Sequence, residues 1–258
     1  MIKAQYGMFK WYEALGYVHH RITENKNVLI TFETNVIPKF QFMVDAGTTG
    51  TVTLVKEIGG AEIATDDVTL TAESDYVRVH YSGDTLEEQA DGWYYLRVDI
   101  GESSYYSDVF NWQSNLDGFI KLDVDSYDFA LGARQEYRYV TTNLNFVCYL
   151  ELDQYSGVDL SNEEEANERD GQIIPYYSGF SRIRKYDIKG TEYIFNFLSG
   201  LRVLGVNGSI EITYRDEVFD AKDVSAEVTT QSGDFDIVII SLKFVSNNDI
   251  ITPINVAK

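Results

Sequence analysis

Residues 92–112 read GWYYLRVDIGESSYYSDVFNW, two β-prone runs around the short polar break Gly101-Glu102-Ser103. In the first run Tyr94, Leu96, Val98 and Ile100 fall on one face of a strand, and Trp93, Arg97 and Asp99 fall on the other. That period of two belongs to a half-buried strand, because successive side chains point to opposite faces of a sheet. The second run carries Tyr105, Tyr106, Val109, Phe110 and Trp112, and the polar triplet Gln113-Ser114-Asn115 after it marks the end of a first domain. A chain built around such a segment must place it in a sheet.

The same reading extends outward. Residues 28–33, 39–44, 51–58, 67–71, 76–81, 93–100 and 105–112 are strand candidates, separated by Gly-containing turns such as Gly59-Gly60 and Asp91-Gly92. Their number and spacing predict an all-β fold whose residues 28–112 form an immunoglobulin- or fibronectin-like sandwich, without the Cys–Trp–Cys pattern of antibody domains. Residues 1–27 are aromatic without clean alternation and read as an N-terminal arm, packed on its own domain or on a neighbouring subunit. Residues 113–258 form a second β-rich domain, sandwich or barrel-like. Its strand candidates are 118–124, 137–140, 145–152, 172–177, 181–188, 192–197, 209–214, 224–229 and 235–245. Residues 198–206 read as a short helix or bent connection. Residues 153–171, DQYSGVDLSNEEEANERDG, hold few apolar side chains and read as a long acidic loop. The last candidate is apolar at Val238, Ile240, Leu242 and Phe244 and again at Ile237, Ile239 and Val245, the mark of a central strand covered on both faces.

Composition narrows the function. A net charge of −20 argues against binding nucleic acid, which takes a basic surface to neutralise phosphates, and against anionic membranes. No run approaches the apolar length of a membrane span, and MIKAQYGMFKWYEALGY lacks the apolar core of a secretory signal. The one cysteine, Cys148, lies in an apolar run and reads as a buried structural thiol, so the core holds without disulfides. Tyrosine is in excess, with 19 copies, and suits half-exposed sheet faces and interfaces.

Motifs that carry chemistry are not found. The sequence contains no Gly-rich phosphate loop, zinc-protease or nucleophile-elbow pattern, and His19, His20 and His80 are poor material for a metal site. The run from Asp123 to Asp128 superficially resembles a calcium loop but lacks its Gly and final Glu, so it reads as a turn. The expectation is therefore a non-enzyme with no catalytic, cofactor or metal residues and no cofactor. Two alternatives stay open. Exposed Trp and Tyr beside carboxylates would serve a carbohydrate-binding module, and 41 carboxylates supply glycosidase-like pairs somewhere. One further pairing stands out: Glu163, Glu164, Glu165 and Glu168 are followed closely by Arg182, Arg184 and Lys185. Ordinary strand-face charges explain it; the sharper reading is that the acidic segment of one copy docks on the basic stretch of the next.

WYYLRV and YYSDVFNW, the RDG of Arg169-Asp170-Gly171 with Ile174-Pro175-Tyr176 after it, and ISLKFVSNNDIITP at 240–253 together resemble tail structural proteins of Bacteroides-infecting, crAss-like bacteriophages. The resemblance is spread over residues 28–253. It implies a virion protein made in the host cytoplasm: a ring or tail-barrel subunit below the portal, in twelve copies, forming part of the DNA-ejection conduit. Its partners would be copies of itself and other tail or portal proteins. No functional residue is carried over by it.

Overall fold

The computed structural model describes residues 1–6, 9–14, 30–34, 36, 38–57, 59–72, 75–81, 86, 90–125, 145–169, 172–191, 193–196, 198–199, 209–231 and 237–246. The strands are β1 (Ile2–Tyr6), β2 (Trp11–Tyr12), β3 (Thr31–Glu33), β4 (Phe40–Val44), β5 (Gly50–Lys56), β6 (Glu62–Asp67), β7 (Thr69–Ala72), β8 (Val77–Tyr81), β9 (Gly92–Ile100), β10 (Ser103–Ser107), β11 (Phe110–Gln113), β12 (Phe119–Asp125), β13 (Asn145–Arg169), β14 (Gln172–Thr191), β15 (Ser209–Tyr214), β16 (Glu217–Gln231) and β17 (Ile237–Ser246). The all-β expectation holds.

β9 organises the first half. Its residues 94–100 pair with β5 on one edge, while the other edge is shared by β10 and β11. Tyr94, Leu96, Val98 and Ile100 are buried as the alternation required. Gly101 turns β9 into β10 at a φ of 59°, a conformation that costs glycine nothing because it has no Cβ. The run expected as one strand over 105–112 is two. At the break between them Ser107 accepts a hydrogen bond from the Leu96 amide and Asp108 donates its amide to the Lys10 carbonyl, so backbone groups leave the ladder without losing partners. Opposite this layer lies the sheet β1-β4-β8-β7. Between the two sheets sits an aromatic core: Trp11 stacks on Phe42 at 4.5 Å, Phe9 on Phe32 at 5.7 Å, and Tyr94 meets Trp112 at 5.1 Å. The residues expected as an arm are woven into this sandwich where they are described. β1 pairs with β4 and β2 with β10, and the rest of 1–27 lies outside the described residues. β6 was not expected, because Glu62–Asp67 holds only Ile63 and Ala64 as apolar residues, one on each face, and pairs only at a sheet edge.

The second half closes on itself. β12 pairs with both β13 and β15, and the path β12-β15-β16-β17-β14-β13 returns to its start as a six-stranded antiparallel barrel. Ile120, Leu122 and Val124 point inward from β12 and, with Cys148, Leu150, Ile188, Ile212, Ile240 and Leu242, fill the interior. Eight strands give a lumen just wide enough for side chains, so six leave a packed core and no pore. Thr191 accepts a hydrogen bond from the Ile194 amide at the start of a short helical segment, residues 193–196 and 198–199, whose buried Ile194 and Leu198 join that core. The strand expected at 192–197 is thus corrected to helix over its described residues 193–196; of the helix expected at 198–206 only 198–199 are described, and the candidate at 137–140 lies outside the described residues.

Two expectations are corrected here. The last strand is central, between β14 and β16, but it is covered only in part on its second face: Val238, Ile240, Leu242 and Phe244 point into the barrel, while on the outer wall Ser241 is buried and Ile239, Lys243 and Val245 remain partly exposed. The segment expected as a loop at 153–171 is strand through Arg169, paired residue by residue with β14. Few apolar residues signalled a loop, yet strand pairing needs only backbone donors and acceptors, which a polar segment supplies equally well. Pairing also continues across the boundary expected between 112 and 113. β3 runs parallel to β11 and meets β13 at Thr31↔Tyr149, and Tyr149 Oη donates to Glu33 Oε2 at 3.0 Å.

Candidate functional site: a two-stranded arm and the barrel mouth

β13 and β14 outrun the barrel. β12 accompanies β13 only from Asn145 to Glu151, and β17 accompanies β14 only from Ile183 to Thr191. The two strands nevertheless stay paired to Arg169↔Gln172. From Leu160↔Arg182 outward they form a ribbon, roughly 33 Å long at the usual rise per residue, with which no third strand pairs among the described residues. The register shifts three times on the way, between Leu152 and Gln154, Tyr155 and Gly157, and Glu165 and Ala166. Such bulges increase local twist, and the last lies beside Pro175, which a bulge tolerates because Pro has no amide to contribute.

The seven charged residues singled out in the sequence all lie on these two strands. Glu163, Glu164, Glu165 and Glu168 sit in the outer ribbon opposite Gly179, Ser178, Tyr177 and Ile173. Arg182, Arg184 and Lys185 stand nearer the barrel, opposite Leu160, Val158 and Gly157. Within one chain the acidic and basic groups therefore occupy successive stretches of the arm and never share a register position. The three basic residues also part company. Arg182 is exposed, and Lys185 lies on the outer wall beside Lys243 and Glu227. There Lys243 Nζ reaches Glu227 Oε2 at 2.6 Å, and that hydrogen bond holds the Glu227 carboxyl below its ordinary range.

Arg184 turns the other way, into the mouth of the barrel. It has the parity of Tyr186 and Ile188, both buried, and its guanidinium lies 4.1 Å from the Phe219 ring centre and 3.9 Å from Glu217 Oε2. The mouth is a pocket of about 520 Å³ lined by Arg184, Tyr186, Tyr214, Arg215, Asp216 and Glu217. Tyr186 meets Tyr214 edge-on at 5.3 Å and stacks on Phe244 at 5.9 Å, which fixes the aromatic wall. Arg215 and Asp216 form the two-residue turn closing β15 onto β16, with Tyr214 opposite Glu217. Arg215 takes a φ of 55° there and lays its guanidinium 5.1 Å from the Tyr214 ring centre. Sequence reasoning missed this pocket. The turn itself was legible as a polar break after the alternating run 209–214, but nothing local reports that Arg184 shares its barrel end.

Other candidates fall into structural roles. Cys148 is buried in the barrel, where burial and then the Asp123 carboxylate push its thiol well above the usual range. Asp123 and Asp125 are part of β12, and the rest of that acidic run lies outside the described residues, as do His19 and His20. Trp11 and Trp112 are core anchors, the latter donating from Nε1 to the Val36 carbonyl at 3.0 Å. Among the described residues no cluster of His, Cys, Asp and Glu is placed to hold a metal ion, and no helix is long and apolar enough to cross a membrane. No family model, curated protein or solved structure matches the chain.

Proposed function

We propose that this chain is a non-enzymatic structural subunit of a bacteriophage virion, a ring or tail-barrel protein below the portal that helps to build the conduit for DNA ejection. The observation that carries the reading is the arm. A two-stranded ribbon alone is marginal in water, and among the described residues no strand covers its outer edges, whose backbone donors and acceptors call for partners. Both costs vanish when a neighbouring copy supplies the missing strand or surface, which is strand addition between identical subunits. An arm that reaches from one copy to a different patch on the next makes a head-to-tail contact, and such contacts form a ring where the rotation between copies closes and an open filament where it does not.

Charge gives that contact a direction. The acidic outer ribbon at Glu163, Glu164, Glu165 and Glu168 complements Arg182 and Lys185 of the next copy. Because a single barrel has no pore, the conduit lies on the axis between copies. There a net charge of −20 per subunit serves the passage of DNA, since an acidic wall repels phosphates and lets the duplex slide. The spread resemblance to crAss-like phage tail proteins supports the same role.

The test uses disulfides. Positions 164 and 182 are four residues out of register within one arm, roughly 13 Å apart, too far for an intrachain bridge. Mixing Glu164→Cys with Arg182→Cys under mild oxidation should give a covalent mixed dimer, and the double variant a ladder of higher multimers. Light scattering that finds a monomer at every concentration, with no mixed dimer, removes the proposal.

A further inference from the structure

We propose that the barrel mouth is a binding site for an uncharged saccharide, a function independent of assembly through the arm. Three observations select the ligand. Barrel mouths are common ligand sites, and about 520 Å³ is within the range of small-molecule pockets, enough for roughly one or two sugar rings. The lining is balanced in charge: Arg184 and Arg215 offer guanidinium donors, Asp216 and Glu217 carboxylate acceptors. An anion entering would meet two carboxylates and the field of a chain at −20; a cation is drawn by that field but would have to lie against two guanidiniums. A neutral molecule rich in hydroxyls satisfies both sets at once, because each hydroxyl donates one hydrogen bond and accepts others. Tyr214, partly exposed beside Arg215, supplies aromatic surface for the apolar C–H face of a pyranose ring, and the buried Tyr186 backs it.

The backbone supports a built site. Arg215 occupies a left-handed conformation at a turn position where glycine is unstrained, at φ 55°. In exchange its guanidinium stands over Tyr214 at the rim. Arg184, whose side chain is only 16% exposed, is held by the Phe219 face at 4.1 Å, so one donor is fixed before any ligand arrives. Glu217, 71% exposed and 3.9 Å from Arg184, has room to swing toward a hydroxyl.

The experiment is saturation-transfer NMR on the intact chain with methyl glucoside, methyl galactoside, methyl mannoside, N-acetylglucosamine, maltose, cellobiose and lactose. Glucuronate and glucosamine serve as the anionic and cationic controls. At least one neutral sugar should show transfer that barely changes between low and high salt, while both charged controls bind at least tenfold more weakly. Arg215→Gly separates the site from the fold. It relieves the turn, so its melting temperature should rise, yet saccharide affinity should fall at least tenfold. Glu217→Gln, on an exposed side chain, should weaken binding with the melting temperature unchanged. Absence of transfer from every neutral sugar overturns the inference. So does binding that survives Arg215→Gly intact, or a preference for either charged control.

Discussion

At the scale of single residues, the phenol of Tyr149 ties the two halves together. Burial, and then the hydrogen bond it donates to Glu33 at 3.0 Å, favour the neutral form and push its pKa well above the ordinary 10.0. Tyr94, Tyr95 and Tyr105 are raised as well, each chiefly by burial. The sign follows from linkage. A raised pKa means the folded state holds its proton more tightly, so this stabilisation is complete below pH 10 and drains away as pH rises beyond it. Chemical denaturation followed from about pH 8 to 11 should show stability falling on the alkaline side. Tyr149→Phe should cost about 1–2 kcal/mol at neutral pH, the loss of a partly buried hydrogen bond to a carboxylate, and should flatten the alkaline decline. An unchanged slope in that variant would place the linkage elsewhere. His80 works at the other end: burial, then Arg78, lowers its pKa, so its contribution is present above the ordinary 6.5 and is lost as pH falls.

At the scale of elements, β14 serves the barrel with its second half and the arm with its first. Gly190 shows how tightly the inner half is held. A Cβ there would stand 2.6 Å from Ile240 Cδ1 and 3.3 Å from Ile194 Cγ2, in an interior with no slack. Gly190→Val should destabilise the chain by about 1–3 kcal/mol, read as a lower denaturant midpoint, and the companion change Ile240→Val should recover part of it. No recovery would mean that the limiting clash is with Ile194 rather than with Ile240. The elements also show how far local pattern reaches. Alternation located β9 and the inward face of β17, because burial on one face writes a period of two into the side chains. It failed for β6, an edge strand paired with β5 alone, and for the outer part of β13, whose sequence holds too few apolar residues to show a period and whose strand is seen in its backbone pairing with β14.

At the scale of the whole molecule, 41 acidic against 21 basic residues set a self-repulsion that salt relieves. Raising ionic strength from about 0.01 to 0.15 M shortens the screening length from roughly 30 to 8 Å. The melting temperature should rise by a few degrees over that range; a fall would show that ion pairs such as Arg97 with Glu62 and Asp99, or Lys189 with Glu151, outweigh the repulsion. What the chain's own order of residues determined is its class: strands, an aromatic core, a strong negative charge and a thiol bound for the interior. These are properties of composition and short-range period, which burial on one face imprints locally. Closure of six strands into a barrel, an arm in place of a loop, and a pocket joining Arg184 to a turn far along the chain were decided only by tertiary structure. Each depends on which distant backbone segments pair, and a hydrogen-bond ladder leaves no mark on the side chains that it does not bury.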